Sequence, residues 1–162
     1  KYTVVNYSEN ALLFENPTIN AIHKFSNENP DAYILYLHTK GITHKGYRKL
    51  CVNDWTNLML YFLTNKHNEC FEKLGHYDVV GCNYIPNDNQ CPSHFSGNFW
   101  WANSNYLKTL SILDEIKPNR QEPEFWLFRQ NPTHYTMHNS NVNHYHELYP
   151  TQKYNYPTST KM

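Results

Sequence analysis

YILYLH, residues 33–38, is a continuous run of apolar, β-branched and aromatic residues that ends in a histidine. Such a run is typical of a strand that is buried on both faces, an environment found mainly in parallel sheets. Asn29-Pro30 precedes the run, and a polar stretch with Gly41 and Gly46 follows it. We therefore predict a buried parallel strand at 33–38 and a loop at 39–49.

Predicted helices and strands alternate on both sides of this strand. Before it, Asn16-Pro17 predicts the start of an amphipathic helix that runs to Asn29, and residues 1–6 predict a short strand. After it, we predict a helix capped by Asn53, a helix at 68–74, a strand at 78–82, a loop at 83–93, a strand at 95–102, a helix at 106–113 capped by Asn103 or Ser104, and a short helix at 122–128. The alternation predicts an α/β fold with a mostly parallel mixed sheet flanked by helices. We expect one domain at 1–150 and a polar C-terminal tail at 151–162 that frays.

The composition narrows the class of function. The chain has 14 basic and 14 acidic residues, a balance that argues against nucleic-acid binding through phosphate neutralisation. The sequence holds no apolar run of about 18 residues, so no transmembrane segment is expected. The four cysteines form no CxxC pair; we expect Cys70 and Cys82 to be buried thiols and the protein to be cytoplasmic.

His38-Thr39-Lys40-Gly41 follows the strand at 33–38, where α/β sheets commonly bind ligands. Lys40 supplies a positive charge, Thr39 a hydroxyl, and Gly41 lets a ligand approach the backbone closely. The motif therefore predicts a site for a diphosphate or a cluster of sugar hydroxyls. The structural alternative is an ordinary turn with a solvated lysine.

The segment HFSGNFWWA, residues 94–102, combines aromatic and polar side chains with a glycine inside the strand pattern. Such a glycine indicates a bulge or a close backbone approach. Two adjacent tryptophans on a strand point to opposite faces, so one is expected in the core and the other at a site. The residues predicted here to bind sugar are His94, Ser96, Gly97, Asn98, Trp100 and Trp101.

Two further segments carry groups for acid–base or metal chemistry. Glu124 lies in the segment 120–126 and is the candidate general base, although acidic residues at a helix start also complement the helix dipole. His144 and His146 would point the same way on a strand and are the candidates for holding a metal.

Taken together, YLHTKG, the DVVGCNY stretch, HFSGNFWWANSNYL and EPEFWL resemble one family. This is the group of small GT-A-like glycosyltransferases found in capsular-polysaccharide loci and large DNA viruses, and the resemblance covers about residues 15–149. It implies a nucleotide-diphosphate-sugar donor and a glycan or glycoconjugate acceptor. Compared with that fold, the chain begins after or within the N-terminal strand and loop, so we expect the first strand to be missing.

The resemblance also implies roles for individual residues. His38, Thr39, Lys40 and Gly41 would bind the donor diphosphate, and Glu124 would activate the acceptor hydroxyl. GT-A enzymes hold Mn²⁺ or Mg²⁺ on a DxD motif, and no DxD occurs in this sequence, so Lys40 or the tail histidines would have to replace it. The alternative function is a non-catalytic or truncated carbohydrate-binding module that keeps the aromatic residues and lacks the donor site.

Overall fold

A mixed sheet with helices on both faces forms the centre of the protein. The structure is a computed structural model that describes residues 9–155. After a 3₁₀ turn at Ala11–Leu13, its elements are α1 (Asn16–Glu28), β1 (Tyr33–Tyr36), α2 (Gly46–Leu60), a π-helical turn (Tyr61–Asn65), α3 (His67–Leu74), β2 (Val79–Gly81), β3 (Tyr84–Ile85), β4 (His94–Phe95), β5 (Trp100–Asn103), α4 (Ser104–Leu107), α5 (Glu122–Trp126), β6 (His134–Thr136) and a 3₁₀ turn (Thr151–Lys153). No helix among these residues is both long enough and apolar enough to cross a membrane.

The main sheet has four strands in the order β1-β5-β2-β6. β5 runs antiparallel to both of its neighbours, with Trp100 opposite Tyr36 on one side and Gly81 on the other. β2 and β6 are parallel. β3 and β4 form a separate two-stranded sheet, in which Tyr84 pairs with Phe95.

Each face of the main sheet packs against its own helices. Val79, Trp100 and Ala102 belong to the core that the sheet shares with α1, α4 and α5. Val80 and the partly buried Trp101 belong to the second core, shared with α2 and α3. Because neighbouring strand residues point to opposite faces, the two adjacent tryptophans enter different cores, whereas the sequence predicts one in the core and the other at a site.

α1 and α3 follow the prediction, whereas the helix predicted at 106–113 is reduced to α4 at Ser104–Leu107 and the one predicted at 122–128 ends at Trp126. α1 has a proline in its first turn, α3 begins at His67, and Asn103 caps α4 by accepting a hydrogen bond from the Asn105 backbone N–H at 2.9 Å. α2 begins at Gly46, seven residues before the predicted cap at Asn53, because its first turn has no side-chain cap that the sequence could reveal. Cys70 and Cys82 are buried thiols, as expected.

The predicted sheet direction is wrong for two of the three strand pairs. Within YILYLH, only Tyr33–Tyr36 form β1, an edge strand that is antiparallel to its neighbour and in which Tyr36 alone is buried. The prediction that this strand is buried on both faces is also wrong, because at the sheet edge Tyr33 is exposed and the next two residues are only partly buried. The apolar run carried no information about strand direction. The predicted strand at 95–102 is also wrong, because Gly97 and Asn98 adopt positive φ angles of 97° and 54° and break it into β4 and β5.

Three shorter elements also differ from the prediction. The predicted loop at 83–93 contains β3, and β6 forms in a region where no strand was predicted. Residues 151–155 do not fray, because Tyr154 is buried and stacks on Tyr149 with ring centroids 6.0 Å apart. The strand predicted at 1–6 and residues 156–162 of the tail lie outside the described residues.

Candidate functional site

One edge of the main sheet collects the loops that carry the predicted site residues. The register places the carboxyl ends of β1, β2 and β6 at this edge, together with the amino end of the reversed strand β5. The loop formed by His38-Thr39-Lys40-Gly41, which we call the HTKG loop, follows β1 at this edge, and the turn at 96–99 leads into β5 here. The rule that ligands bind beyond the carboxyl ends of strands therefore marks this edge.

A cavity of about 490 Å³ opens at this edge, and we call it the charged cavity. Its wall brings together segments far apart in the sequence: Glu15 before α1, the HTKG loop, Asn98, and Arg120 and Glu124 near α5. The predicted donor residues and the predicted base thus share one cavity. A volume of this size is within the usual range for small-molecule sites.

Backbone geometry fixes the HTKG loop in place. Gly41 has a φ of +68°, and a Cβ there would overlap the side chain of Val52 in α2. Lys49 of α2 donates a hydrogen bond from Nζ to the Gly41 carbonyl oxygen at 3.2 Å. Glycine is therefore required at 41 by both conformation and space.

His38 joins the HTKG loop to the turn before β5. Its Nε2 lies 3.2 Å from the Gly97 carbonyl oxygen, and its Nδ1 lies 3.6 Å from the Glu15 carboxylate. Burial lowers the pKa of the imidazole, and the hydrogen bond to Gly97 acts in the opposite direction. His38 is therefore mainly neutral at pH 7 and serves as a polar partner in this wall.

Lys40 carries the positive charge of the cavity interior. Its Nζ lies 4.0 Å above the ring of Trp55, and within residues 9–155 it forms no ion pair. Burial lowers the pKa of the ammonium, whereas the nearby carboxylates of Glu124 and Glu15 raise it. A partly desolvated cation without a direct counter-ion is suited to bind an anionic ligand group.

Asn98 connects the turn before β5 to α5. Its Oδ1 accepts a hydrogen bond from the Trp100 indole N–H at 3.0 Å, and its Nδ2 donates to the Pro123 carbonyl oxygen at 3.3 Å. Pro123 immediately precedes Glu124, so this side chain holds the start of α5 against the sheet. These two bonds let Asn98 position Glu124. The residue also lines the charged cavity, so the expectation that it binds sugar stays a prediction.

The structure corrects the prediction that the adjacent tryptophans bind sugar. Trp100 is fully buried and stacks on Tyr36 with centroids 4.9 Å apart, so it has no face for a ligand. Trp101 donates its indole N–H to the Leu63 carbonyl oxygen at 2.7 Å and packs against the second core. Both residues stabilise the sheet.

The remaining residues of HFSGNFWWA lie apart from one another. His94 is buried, with Nδ1 2.9 Å from the Pro92 carbonyl oxygen, and does not line the charged cavity. Gly97 lies where a Cβ would approach the Met59 sulfur to 2.6 Å, so it lets the turn pack on α2. Ser96 lines a second cavity.

The histidines proposed as metal ligands do not point together. Residues 144–146 form a turn, in which His144 is buried and His146 is exposed. Among residues 9–155, no group of three or more His, Cys, Asp or Glu side chains could hold a metal ion. The two carboxylates of the charged cavity, Glu15 and Glu124, lie near Lys40.

Sequence reasoning missed two residues of this site. Glu15 precedes Asn16-Pro17 at the start of α1, and in the sequence this position indicates only that a helix begins. Tyr145 lines both the charged cavity and the second cavity, and its ring stands at 83° to Trp55 with centroids 5.4 Å apart. Nothing in the sequence distinguishes Tyr145 from the other tyrosines of this tyrosine-rich chain.

Comparison with known proteins identifies the family. Residues 1–156 match the family described as "Domain of unknown function (DUF8361)", and the chain belongs to this family. No curated protein and no solved structure matches the chain.

Proposed function

We propose that this member of the DUF8361 family is a glycosyltransferase with a GT-A-like fold. It would move a hexosyl or deoxyhexosyl group from a nucleotide-diphosphate donor to a hydroxyl of a glycan or glycoconjugate, in the cytoplasm. One observation carries the proposal: the HTKG loop, the turn before β5 and the start of α5 meet at one cavity, where an unpaired lysine faces a carboxylate.

The donor diphosphate would bind at Lys40. A diphosphate carries negative charge that grows on the leaving oxygen as the bond to the sugar breaks, and a preorganised cation in a partly dry site stabilises that charge. Thr39 is exposed at the same cavity and offers a hydroxyl to the phosphate oxygens. His38, held by Gly97 and Glu15, would orient this loop and supply a neutral ring nitrogen.

Glu124 would act as the general base of an inverting transfer. Its carboxylate would take the proton of the acceptor hydroxyl while the acceptor oxygen forms a bond to the anomeric carbon. The bond between that carbon and the diphosphate oxygen breaks in the same step, and the leaving group keeps the electron pair next to Lys40. The hydrogen bond from Asn98 to Pro123 fixes the residue before the base.

A substitution at the base tests this assignment. We expect Glu124→Gln to abolish sugar transfer and to leave donor binding unchanged, because the amide keeps the shape and cannot accept the proton. Glu122→Gln is the matched control: it lies on the same helix but pairs with Arg129 at 3.2 Å and does not line the charged cavity. Normal transfer by Glu124→Gln would refute the role of Glu124.

The second candidate function is a non-catalytic carbohydrate-binding module. The missing DxD motif and the absence of a metal-ligand cluster within residues 9–155 favour it. Calorimetry with a panel of nucleotide sugars, with and without Mn²⁺ or Mg²⁺, separates the two. Donor binding that Lys40→Ala weakens supports the transferase, and any metal requirement becomes visible directly. If no donor binds under either condition, the transferase proposal fails.

A further inference from the structure

A second cavity of about 410 Å³ adjoins the charged cavity, and we call it the neutral cavity. Tyr145 lines both. The neutral cavity lies beyond the ends of β2 and β6, and its wall includes Trp55, Tyr84, Ser96 and the segment 139–145. It therefore occupies the same sheet edge, next to the place where the proposed transfer would occur.

The two cavities differ in charge. The charged cavity is lined by Glu15, Lys40, Arg120 and Glu124. The described residues that line the neutral cavity include no Asp, Glu, Lys or Arg. Its one titratable imidazole, His144, is uncharged at pH 7, because burial lowers its pKa to about 4. Lys40 lies outside the lining, with its Nζ 4.0 Å above the Trp55 ring, and its charge also lowers the pKa of His144. The lining itself offers no charged side chain to pair with an ion that has lost its hydration, so the cavity favours neutral ligands.

A buried network gives the neutral cavity a fixed shape. Asn83 Oδ1 accepts hydrogen bonds from the Ser140 backbone N–H at 2.8 Å and from the Ser140 hydroxyl at 3.0 Å. His144 Nε2 lies 2.7 Å from the same hydroxyl oxygen, and its ring stacks on Trp55 at 5.0 Å and 7°. The wall is thus organised before any ligand arrives, which lowers the entropy lost on binding.

Polar side chains on this wall remain available. The Ser96 hydroxyl and the Asn141 amide have no hydrogen-bond partner among the residues that the structure describes, and Asn141 is exposed. Amides and hydroxyls that both donate and accept, beside the aromatic rings of Tyr84 and Tyr145, match the chemistry of sugars, whose hydroxyls need paired donors and acceptors and whose C–H faces pack on rings.

From this contrast we infer that the neutral cavity is the acceptor subsite and that it selects an uncharged glycan. The inference rests on the proposed transferase function, because only a transferase has an acceptor. Tyr145, which lines both cavities, would contact the acceptor sugar whose hydroxyl reaches Glu124 in the charged cavity. The predicted acceptor residues thus change: Ser96 stays, and Asn141 and Tyr145 replace Trp100 and Trp101.

The test measures binding of the full chain to an array of neutral oligosaccharides and to carboxylated and phosphorylated counterparts, with no nucleotide sugar present. We expect wild type to retain neutral glycans, and the double variant Ser96→Ala/Asn141→Gly to bind them at least about tenfold more weakly, because two polar groups are lost. Asn131→Gly is the matched control: Asn131 also has a positive φ, of 47° against 58° for Asn141, and lines neither cavity. It should bind as wild type does.

Three results would overturn the inference: no retention of any neutral glycan, a preference for the anionic set, or displacement of the glycan by a free nucleoside such as uridine. The last result would assign the cavity to the donor base. Because the assay contains no donor, it tests this inference separately from the transferase proposal. If the protein retains neutral glycans here but binds no nucleotide sugar in calorimetry, the transferase proposal alone fails.

Discussion

Asn98 provides the sharpest test of how the site is assembled. Asn98 is only 6% exposed, and its side-chain amide accepts a hydrogen bond from the indole N–H of the fully buried Trp100 and donates one to the Pro123 carbonyl oxygen. Its φ of 54° lies in the left-handed region, which glycine adopts without strain. Asn98→Gly therefore removes the side chain while preserving the turn.

The expected loss of stability follows from these contacts. Without Asn98, the Trp100 indole N–H loses its acceptor in the core, which costs about 1–3 kcal/mol. The bond to Pro123 contributes about 1 kcal/mol more. We expect Asn98→Gly to lower the free energy of unfolding by about 2–4 kcal/mol, and the melting temperature by roughly 4–16 °C for a domain of this size.

Urea denaturation followed by Trp fluorescence measures this loss, and Asn131→Gly calibrates it. Asn131 has a φ of 47°, and its side chain forms no hydrogen bond among residues 9–155. Both variants change the backbone entropy of the unfolded chain alike, so their difference isolates the side-chain bonds. A difference below about 0.5 kcal/mol would refute the bridging role, since it would fall short of even one such bond.

Three further predictions concern other parts of the chain. Gly41→Ala should destabilise the protein by about 1–3 kcal/mol in thermal denaturation and weaken donor binding. Gly46 has a similar φ of +58° but open space for a Cβ, so Gly46→Ala should lower the stability less. Equal losses of stability in the two variants would contradict the close approach of residue 41 to Val52. The free energy of unfolding should rise by up to about 3 kcal/mol between about pH 4 and 6.5, because in this range His144 binds more protons in the unfolded than in the folded protein. His144→Gln should flatten this rise. An unchanged slope in the variant would contradict the pKa of about 4. Under native conditions a thiol reagent should label the partly exposed Cys91 alone, because Cys51, Cys70 and Cys82 are buried, and Cys91→Ser should abolish labelling.

The sequence predicted positions better than directions. α1, α3, β2 and the cap at Asn103 have strong local signals, and the structure confirms them. The antiparallel direction of β5 has no local signal, because apolar content is the same for either direction once helices cover both faces. β3 and β6 are two and three residues long, too short for a periodic pattern to be visible.

For the candidate site, the sequence identified the segments but assigned several side chains wrongly. Lys40, Gly41 and Glu124 line one cavity. The tryptophans of HFSGNFWWA drew attention because aromatic rings bind sugars, yet Trp100 is fully buried. Whether an aromatic ring faces a core or a cavity depends on the helices packed over it, and that packing involves residues distant in sequence.

The reversed direction of β5 explains why the site forms where it does. In a fully parallel sheet, only loops that leave strands would meet at this edge. Because β5 enters the sheet from this edge, the turn at 96–99 stands beside the loop that leaves β1, and the Gly97 carbonyl lies 3.2 Å from His38 Nε2. The same turn places Asn98 against Pro123, which brings Glu124 to the cavity that holds Lys40. Ser96, two residues earlier, lines the neutral cavity. A single four-residue turn therefore links both cavities, so a change in its geometry should alter donor binding and glycan binding together.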